Sequence, residues 1–337
     1  MGLLSILSIG LPVHPPAGAP PFAPTTTHTT YTNLPYGPDA QQTFDLLVPD
    51  NFPAGKSKHP LVVYIHGGGF DSGDKSAASG FSTQINQFLQ QGIAFAAINY
   101  RLLDDPDPDG ILRKCLADCK RFMQFIRLNA ATYEVEKTRI AIWGHSAGAG
   151  SGLWLAFHKD FKDPSGTPLE QQSTKPLTVV AQQTQSTYDI DVWPAIFTNV
   201  PAVGGGTTSL TLPQIISIAG MVKVKSMYGV TGPLNWTALQ ADRDELNLLK
   251  LMDANDPPFW VEHANIKEAL PATVTKKILY HHPYHSDTLL TRAQSLIAGY
   301  AGTPKLAVYA RIPKLGKSVL PGYANTPVQF LIHALTQ

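Results

Sequence analysis

The chain carries little charge, and that charge has almost no bias: 26 Lys and Arg stand against 25 Asp and Glu in 337 residues, and charged residues make up only 15%. No basic stripe is available to neutralise a phosphate backbone, so nucleic acid is not an expected partner. Long hydrophobic runs are missing as well. None reaches the roughly 18 residues that a membrane-crossing helix needs, and no membrane span is expected. Cysteine is nearly absent: Cys115 and Cys119 lie four apart in a helical pattern, where a bridge between them would be strained. They read as buried thiols not joined to each other. No segment recurs at a fixed period, which argues against a solenoid or propeller. What is present is core material, 43% hydrophobic residues at a mean hydropathy of −0.06, ample for a large buried interior.

The opening stretch Leu3–Leu11 has the apolar look of a secretory signal core. However, no Lys or Arg precedes it, and Pro20 follows the one small-residue site at 17–19. The compartment stays open between cytoplasmic and secreted or periplasmic. Residues 11–38, crowded with Pro, Thr and Gly, read as part of an extended N-terminal arm over 1–38. From Gln42–Val48 onward, strand-length apolar runs alternate with helical patterns: Leu61–Ile65, Ile93–Ile98, Arg139–Trp143, Leu177–Ala181, Phe259–Val261 and Leu306–Ala310. Such alternation predicts βαβ units, hence an α/β fold with a mostly parallel sheet covered by helices. Leu112–Ala130 has the apolar spacing of a helix, with Leu116, Cys119, Phe122, Met123, Phe125 and Ile126 on one side, expected to pack on the sheet. The helical patterns Ile215–Met227 and Leu239–Met252 break the rhythm. They predict one domain over 39–337 with a helical cap inserted at about 190–251.

Two motifs carry chemistry. Gly144-His145-Ser146-Ala147-Gly148 follows the strand Arg139–Trp143 and precedes a helical segment, the setting in which G-x-S-x-G puts a serine on a sharp strained turn with its hydroxyl exposed above a sheet. Upstream, His66-Gly67-Gly68-Gly69-Phe70 ends the strand Leu61–Ile65. A tetrahedral intermediate of acyl transfer carries a negative oxygen that bare backbone N–H groups can reach, and losing one such donor costs about 2.7–4 kcal/mol. Gly68, Gly69 and Ala147 are the expected donors.

On these motifs the sequence resembles the α/β-hydrolase fold, in its H-G-G-G branch of hormone-sensitive-lipase-like and feruloyl-esterase-like carboxylesterases. The resemblance covers roughly residues 42–337. Tyr100-Arg101-Leu102, Asp118, Phe125–Ala130 and Asp256-Pro257-Pro258 are similar to that branch too. The resemblance implies a serine esterase with a Ser-His-acid triad, no cofactor, and a cap that walls an acyl pocket. Two departures stand out. Where the branch carries an acid after its seventh strand, this chain reads His263-Ala264-Asn265-Ile266-Lys267, and the last strand is followed only by His333, inside an apolar helix.

Replacements can be argued on physical grounds, because a triad is defined by geometry and not by chain position. The segment Ala264–Tyr284 at the carboxyl end of the sheet supplies His281, with His282 as the alternative base and His285 just beyond. Asp189, leaving the strand Leu177–Ala181 on the same side, is the expected acid, in competition with Asp191, Asp256 and Glu268. The expected triad is thus Ser146, His281 and Asp189. His66, His145 and His263 read as packing or loop-orienting groups. No metal site is expected from His281, His282 and His285, which lack suitably placed further ligands. Asp105, Asp107 and Asp109 imitate a calcium loop, but Leu116 stands at its twelfth position, so that run reads as a solvated turn. Phe70, Trp193, Phe197, Met221 and Trp236 fit an apolar or aromatic acyl group as well as they fit ordinary packing. The competing readings are an amidase or peptidase of the same fold and an inactive hydrolase fold used as a binding module.

Overall fold

The computed structural model describes residues 25–103, 111–263 and 268–337. Strands rich in Val, Ile, Ala and aromatics without polar alternation can be stable only where both faces are covered, and Leu61–Ile65 is buried at every position. In chain order the strands are β1 (His28–Pro35), β2 (Thr43–Pro49), β3 (His59–Ile65), β4 (Ala94–Ile98), β5 (Val135–His145), β6 (Val179–Gln182), β7 (Val200–Pro201), β8 (Thr207–Thr208), β9 (Phe259–Glu262), β10 (Val308–Ile312) and β11 (Lys317–Val319). Nine of them form one sheet in the order β1-β2-β4-β3-β5-β6-β9-β10-β11, while β7 and β8 make a separate two-stranded ribbon. Pairing is parallel from β4 through β10 and antiparallel at the two ends. This is the α/β-hydrolase arrangement the motifs implied.

Alternate side chains of each strand enter opposite cores. Leu61, Val63 and Ile65 join one apolar cluster, and Val62 and Tyr64 the other. The first lies under the helices Ile111–Leu128 and Ala147–Phe157, and the second under Ser82–Gln90 and Pro327–Thr336. Ala147–Phe157 is buried along its whole length, as a helix apolar all round must be. Cys115 and Cys119 are buried on Ile111–Leu128, and desolvation pushes the Cys115 thiol up to about 12.

Two expectations need correction. Part of the N-terminal arm is regular: His28–Pro35 pairs antiparallel with β2 as an edge strand. Its alternation is weak because an edge strand buries little, but its β-branched threonines suit a pleated surface. The expected helix Ile215–Met227 is two helices, Leu212–Ala219 and Met221–Met227, split at Gly220, whose φ of +93° lies outside helical space. The aspartate run 105–109 lies outside the described residues.

Candidate active site

Ser146 occupies the turn between β5 and the helix Ala147–Phe157, with φ +51° and ψ −116°. A non-glycine residue holds such a conformation only where its surroundings over-determine it. Its N–H donates to the Gln182 carbonyl on β6 at 2.8 Å, and its own carbonyl accepts from Gly150 at 3.1 Å. Gly148 is obligatory, because a Cβ there would lie 2.1 Å from the Ile65 carbonyl oxygen at the end of β3. The serine turn is therefore wedged directly against the strand that delivers the glycine loop.

That loop is a backbone device. The Gly68 carbonyl accepts from the N–H groups of Asp71 and Ser72, both at 3.2 Å, and Phe70, at φ +66°, turns its ring inward against Tyr100 and Tyr188. Among the described residues the N–H groups of Gly69 and Ala147 meet no loop acceptor. Gly68 and Gly69 face the same cavity as Ser146, where uncommitted donors could receive an oxyanion. His66 stacks on Tyr100 with centroids 4.4 Å apart, its carbonyl accepts the Tyr100 hydroxyl at 3.0 Å, and burial depresses its pKa. Its role is to set the loop.

His281 Nε2 lies 2.7 Å from Ser146 Oγ. It reaches this place at the end of the short helix Lys276–Tyr280, its N–H donating to the Lys277 carbonyl at 3.1 Å. With Nε2 as acceptor from the serine hydroxyl, the proton sits on Nδ1. Burial, the neighbouring His145 and the ammonium of Lys277 together lower the His281 pKa from its ordinary 6.5 to about 4. All three oppose its charged form. His145 lines the cavity and takes no hydrogen bond from Ser146 among the described residues.

The structure does not bring Asp189 to His281. Asp189 is buried and takes the Arg243 Nε–H at 2.9 Å and the Asn247 amide at 3.2 Å, while Asp191 pairs with Arg243 at 2.5 Å. A carboxylate at the end of β6 has a closer cation to satisfy, and Arg243 on the helix Gln240–Leu246 claims it. Asp189 thus ties the helix Gln240–Leu246 to the segment that follows β6. Asp256 precedes β9, at the amino end of a strand whose parallel neighbours carry the site at their carboxyl ends, and it pairs with Lys175 at 3.1 Å. The Glu268 side chain takes the Tyr284 hydroxyl at 3.3 Å. Among the described residues no carboxylate bonds His281.

The other histidines are structural. His282 caps the helix Pro283–Ala298 and gives its Nε2–H to the Glu268 carbonyl at 2.9 Å. His285 accepts from the Ser186 N–H at 3.2 Å and donates to the Leu279 carbonyl at 3.1 Å. His263 Nδ1 meets Ser286 Oγ at 2.5 Å. No group of three or more His, Cys, Asp or Glu suited to a metal is found among the described residues.

Ser146, His281 and the glycine loop open into a cavity of about 330 Å³ with walls of Phe70, Tyr188, Trp193, Met227 and Tyr280. Of the residues expected to form an acyl wall, Phe70 and Trp193 do so. Phe197 packs edge-on beneath His282 and His285, Trp236 packs on Tyr228, and Met221 is exposed. Sequence reasoning missed Tyr188, whose hydroxyl donates to the Ala147 carbonyl at 2.9 Å, and three lysines on the cavity wall, Lys223, Lys276 and Lys277. The only signal for the last two is their position one turn before His281.

Residues 44–192 match the family model BD-FAE. Gut esterase 1 of Caenorhabditis elegans is 30% identical over 104 residues, 29% of this chain and 18% of that protein. Chlorogenic acid esterase of Aspergillus niger is 32% identical over 96 residues, covering 27% and 19% respectively. The matches thus span less than a fifth of these relatives. A solved carbohydrate esterase from gut microbiota, in truncated form, superposes with a TM-score of 0.59 at 16% identity over 94% of this chain and 99% of that one. Esterase B of Lactobacillus rhamnosis superposes at 0.52 with 18% identity, covering 85% and 76%. With its strand order, serine turn and glycine loop, the chain has the α/β-hydrolase fold of these solved esterases, and its residues 44–192 are similar to the BD-FAE family.

Proposed function

We propose that the chain is a serine carboxylesterase working through an acyl-enzyme, and one observation carries the reading: a strained serine 2.7 Å from a histidine nitrogen in a cavity bordered by a glycine loop. As Ser146 Oγ attacks the ester carbonyl carbon, its proton passes to His281 Nε2 and the carbonyl oxygen becomes an oxyanion. The N–H groups of Gly68, Gly69 and Ala147 receive that charge. Collapse expels the alcohol, protonated by His281, and water activated by the same imidazole then releases the acid.

Asp189 has no part in this mechanism, and among the described residues the pair Ser146–His281 has no carboxylate on Nδ1. An imidazole with a pKa of about 4 is a weak base but is neutral and ready at any pH above that value. The aromatic and methionine walls favour an apolar or aromatic acyl group.

The test is hydrolysis of short-chain and aromatic p-nitrophenyl esters by the wild type beside Ser146→Ala. Turnover that disappears in the variant supports the reading, whereas wild-type turnover no higher than that of Ser146→Ala overturns it. Matched esters and amides separate an esterase from an amidase of the same fold.

A further inference from the structure

The cavity wall carries an imbalance of charge that ester chemistry alone does not require. Its ionised side chains, histidines aside, are Lys223, Lys276, Lys277 and Asp71. Lys223 and Asp71 satisfy each other: Nζ lies 2.6 Å from the carboxylate and 5.6 Å above the Tyr280 ring. This pair is clamped against the glycine loop, since a Cβ on Gly69 would meet the Lys223 ammonium at 2.5 Å. Lys276 and Lys277 have no carboxylate within salt-bridge distance among the described residues. They are exposed at the rim on the helix whose end carries His281. A second cavity of about 460 Å³ adjoins the first and shares Asp71, Lys223 and Lys276 with it, so Lys276 stands where a substrate would pass from the catalytic pocket outward, and Lys277 lines the catalytic pocket beside it. Low-dielectric walls concentrate the field of such uncompensated charge on the space between them.

Resting on the esterase reading above, we propose that this site takes esters bearing a carboxylate remote from the scissile bond, the carboxylate being held by Lys276 and Lys277. The apolar walls take the hydrocarbon part next to the reacting carbonyl, and the remote anion stays in the wet mouth, where it keeps most of its hydration. Binding by exposed ammonium groups is screened by salt.

Two matched pairs test this, each exchanging a carboxylate for a neutral amide. Mono-p-nitrophenyl adipate against its adipamide counterpart places the anion on the acyl side, and 4-butyryloxybenzoate against 4-butyryloxybenzamide places it on the alcohol side. Rates are corrected with Ser146→Ala as the background. In at least one pair, the carboxylate member is expected to show kcat/KM about tenfold above its amide at low salt, chiefly through KM. That ratio should shrink toward one in about 1 M salt, and likewise in Lys276→Met/Lys277→Met. A single Lys276→Glu should push it below the double variant's value. A wild-type ratio near one in both pairs, or a ratio that survives high salt or the double substitution, overturns the proposal while leaving the esterase intact. Absence of hydrolysis of all four esters above the Ser146→Ala background overturns the esterase reading and this proposal together.

Discussion

Between His66 and Gly69, and again between Gly144 and Gly150, the site is made of backbone; between Thr275 and Ser286 it is made of side chains. In the first region the geometry follows from steric facts local to a few residues: a serine at φ +51°, and a glycine whose Cβ would collide with the Ile65 carbonyl. In the second, His281 reaches Ser146 only because Thr275 caps a short helix, His282 caps the next one, and His285 and His263 bury their rings on Ser186 and Ser286. Backbone devices leave a signature in sequence, because close approaches such as that of Gly148 to the Ile65 carbonyl leave no room for a Cβ. Side-chain devices leave a weaker one, a cluster of three histidines, His281, His282 and His285, of which only the fold selects the one aimed at the serine.

The sharpest way to break this contrast is to treat the histidines alike. His281→Ala should lower kcat for a p-nitrophenyl ester by more than about a thousandfold, as expected when one member of a reacting pair is removed. His282→Ala should leave kcat within a few-fold and cost about 1 kcal/mol of stability, as the loss of a helix cap does. Steady-state kinetics and urea denaturation of the two variants distinguish the roles.

Arg243 tests the anchoring of the helix Gln240–Leu246. Replacing it with Met strands the buried Asp189 without its cation, which should cost about 3–5 kcal/mol of stability, seen as a lowered denaturation midpoint, while the chemistry of Ser146 remains. The acid that sequence reasoning assigned to catalysis would then be shown to hold the fold together.

A smaller effect is the acid limb of the pH profile. The base must be neutral in the free enzyme, and burial, His145 and Lys277 all oppose its protonation. Activity should therefore persist as pH falls through 6.5, with kcat/KM declining only through about pH 4. Lys277→Met should move that midpoint upward. Stability runs against this: the unfolded chain binds protons on its histidines near their ordinary pKa, whereas buried His285, lowered to about 3, and His282, lowered to about 4, do not. The folded state therefore loses stability as pH falls below about 6.5, and melting temperatures at pH 7 and pH 5 should show the drop.

The sheet was legible because its strands are continuous apolar runs, and the observed bounds differ from the expected ones by a few residues. β1 was not legible, since an edge strand of threonines has no hydrophobic period to read. Ser146 and the glycine loop announced themselves through spacing. Asp189 misled because the end of β6 was a sound place for an acid, while its partner Arg243 comes from 54 residues further along the chain, a distance at which no local pattern operates. Lys276 and Lys277 look in sequence like any solvated helix start, and only the folded cavity gives them something to face.

The most direct measurement is the rate at which a fluorophosphonate labels Ser146, followed by mass spectrometry, in the wild type, His281→Ala and Asp189→Asn. A serine activated by His281 alone should label in the wild type and at a comparable rate in Asp189→Asn, with no label in His281→Ala. Labelling that survives the loss of His281, or that fails in Asp189→Asn as completely as in His281→Ala, would contradict the two-residue pair.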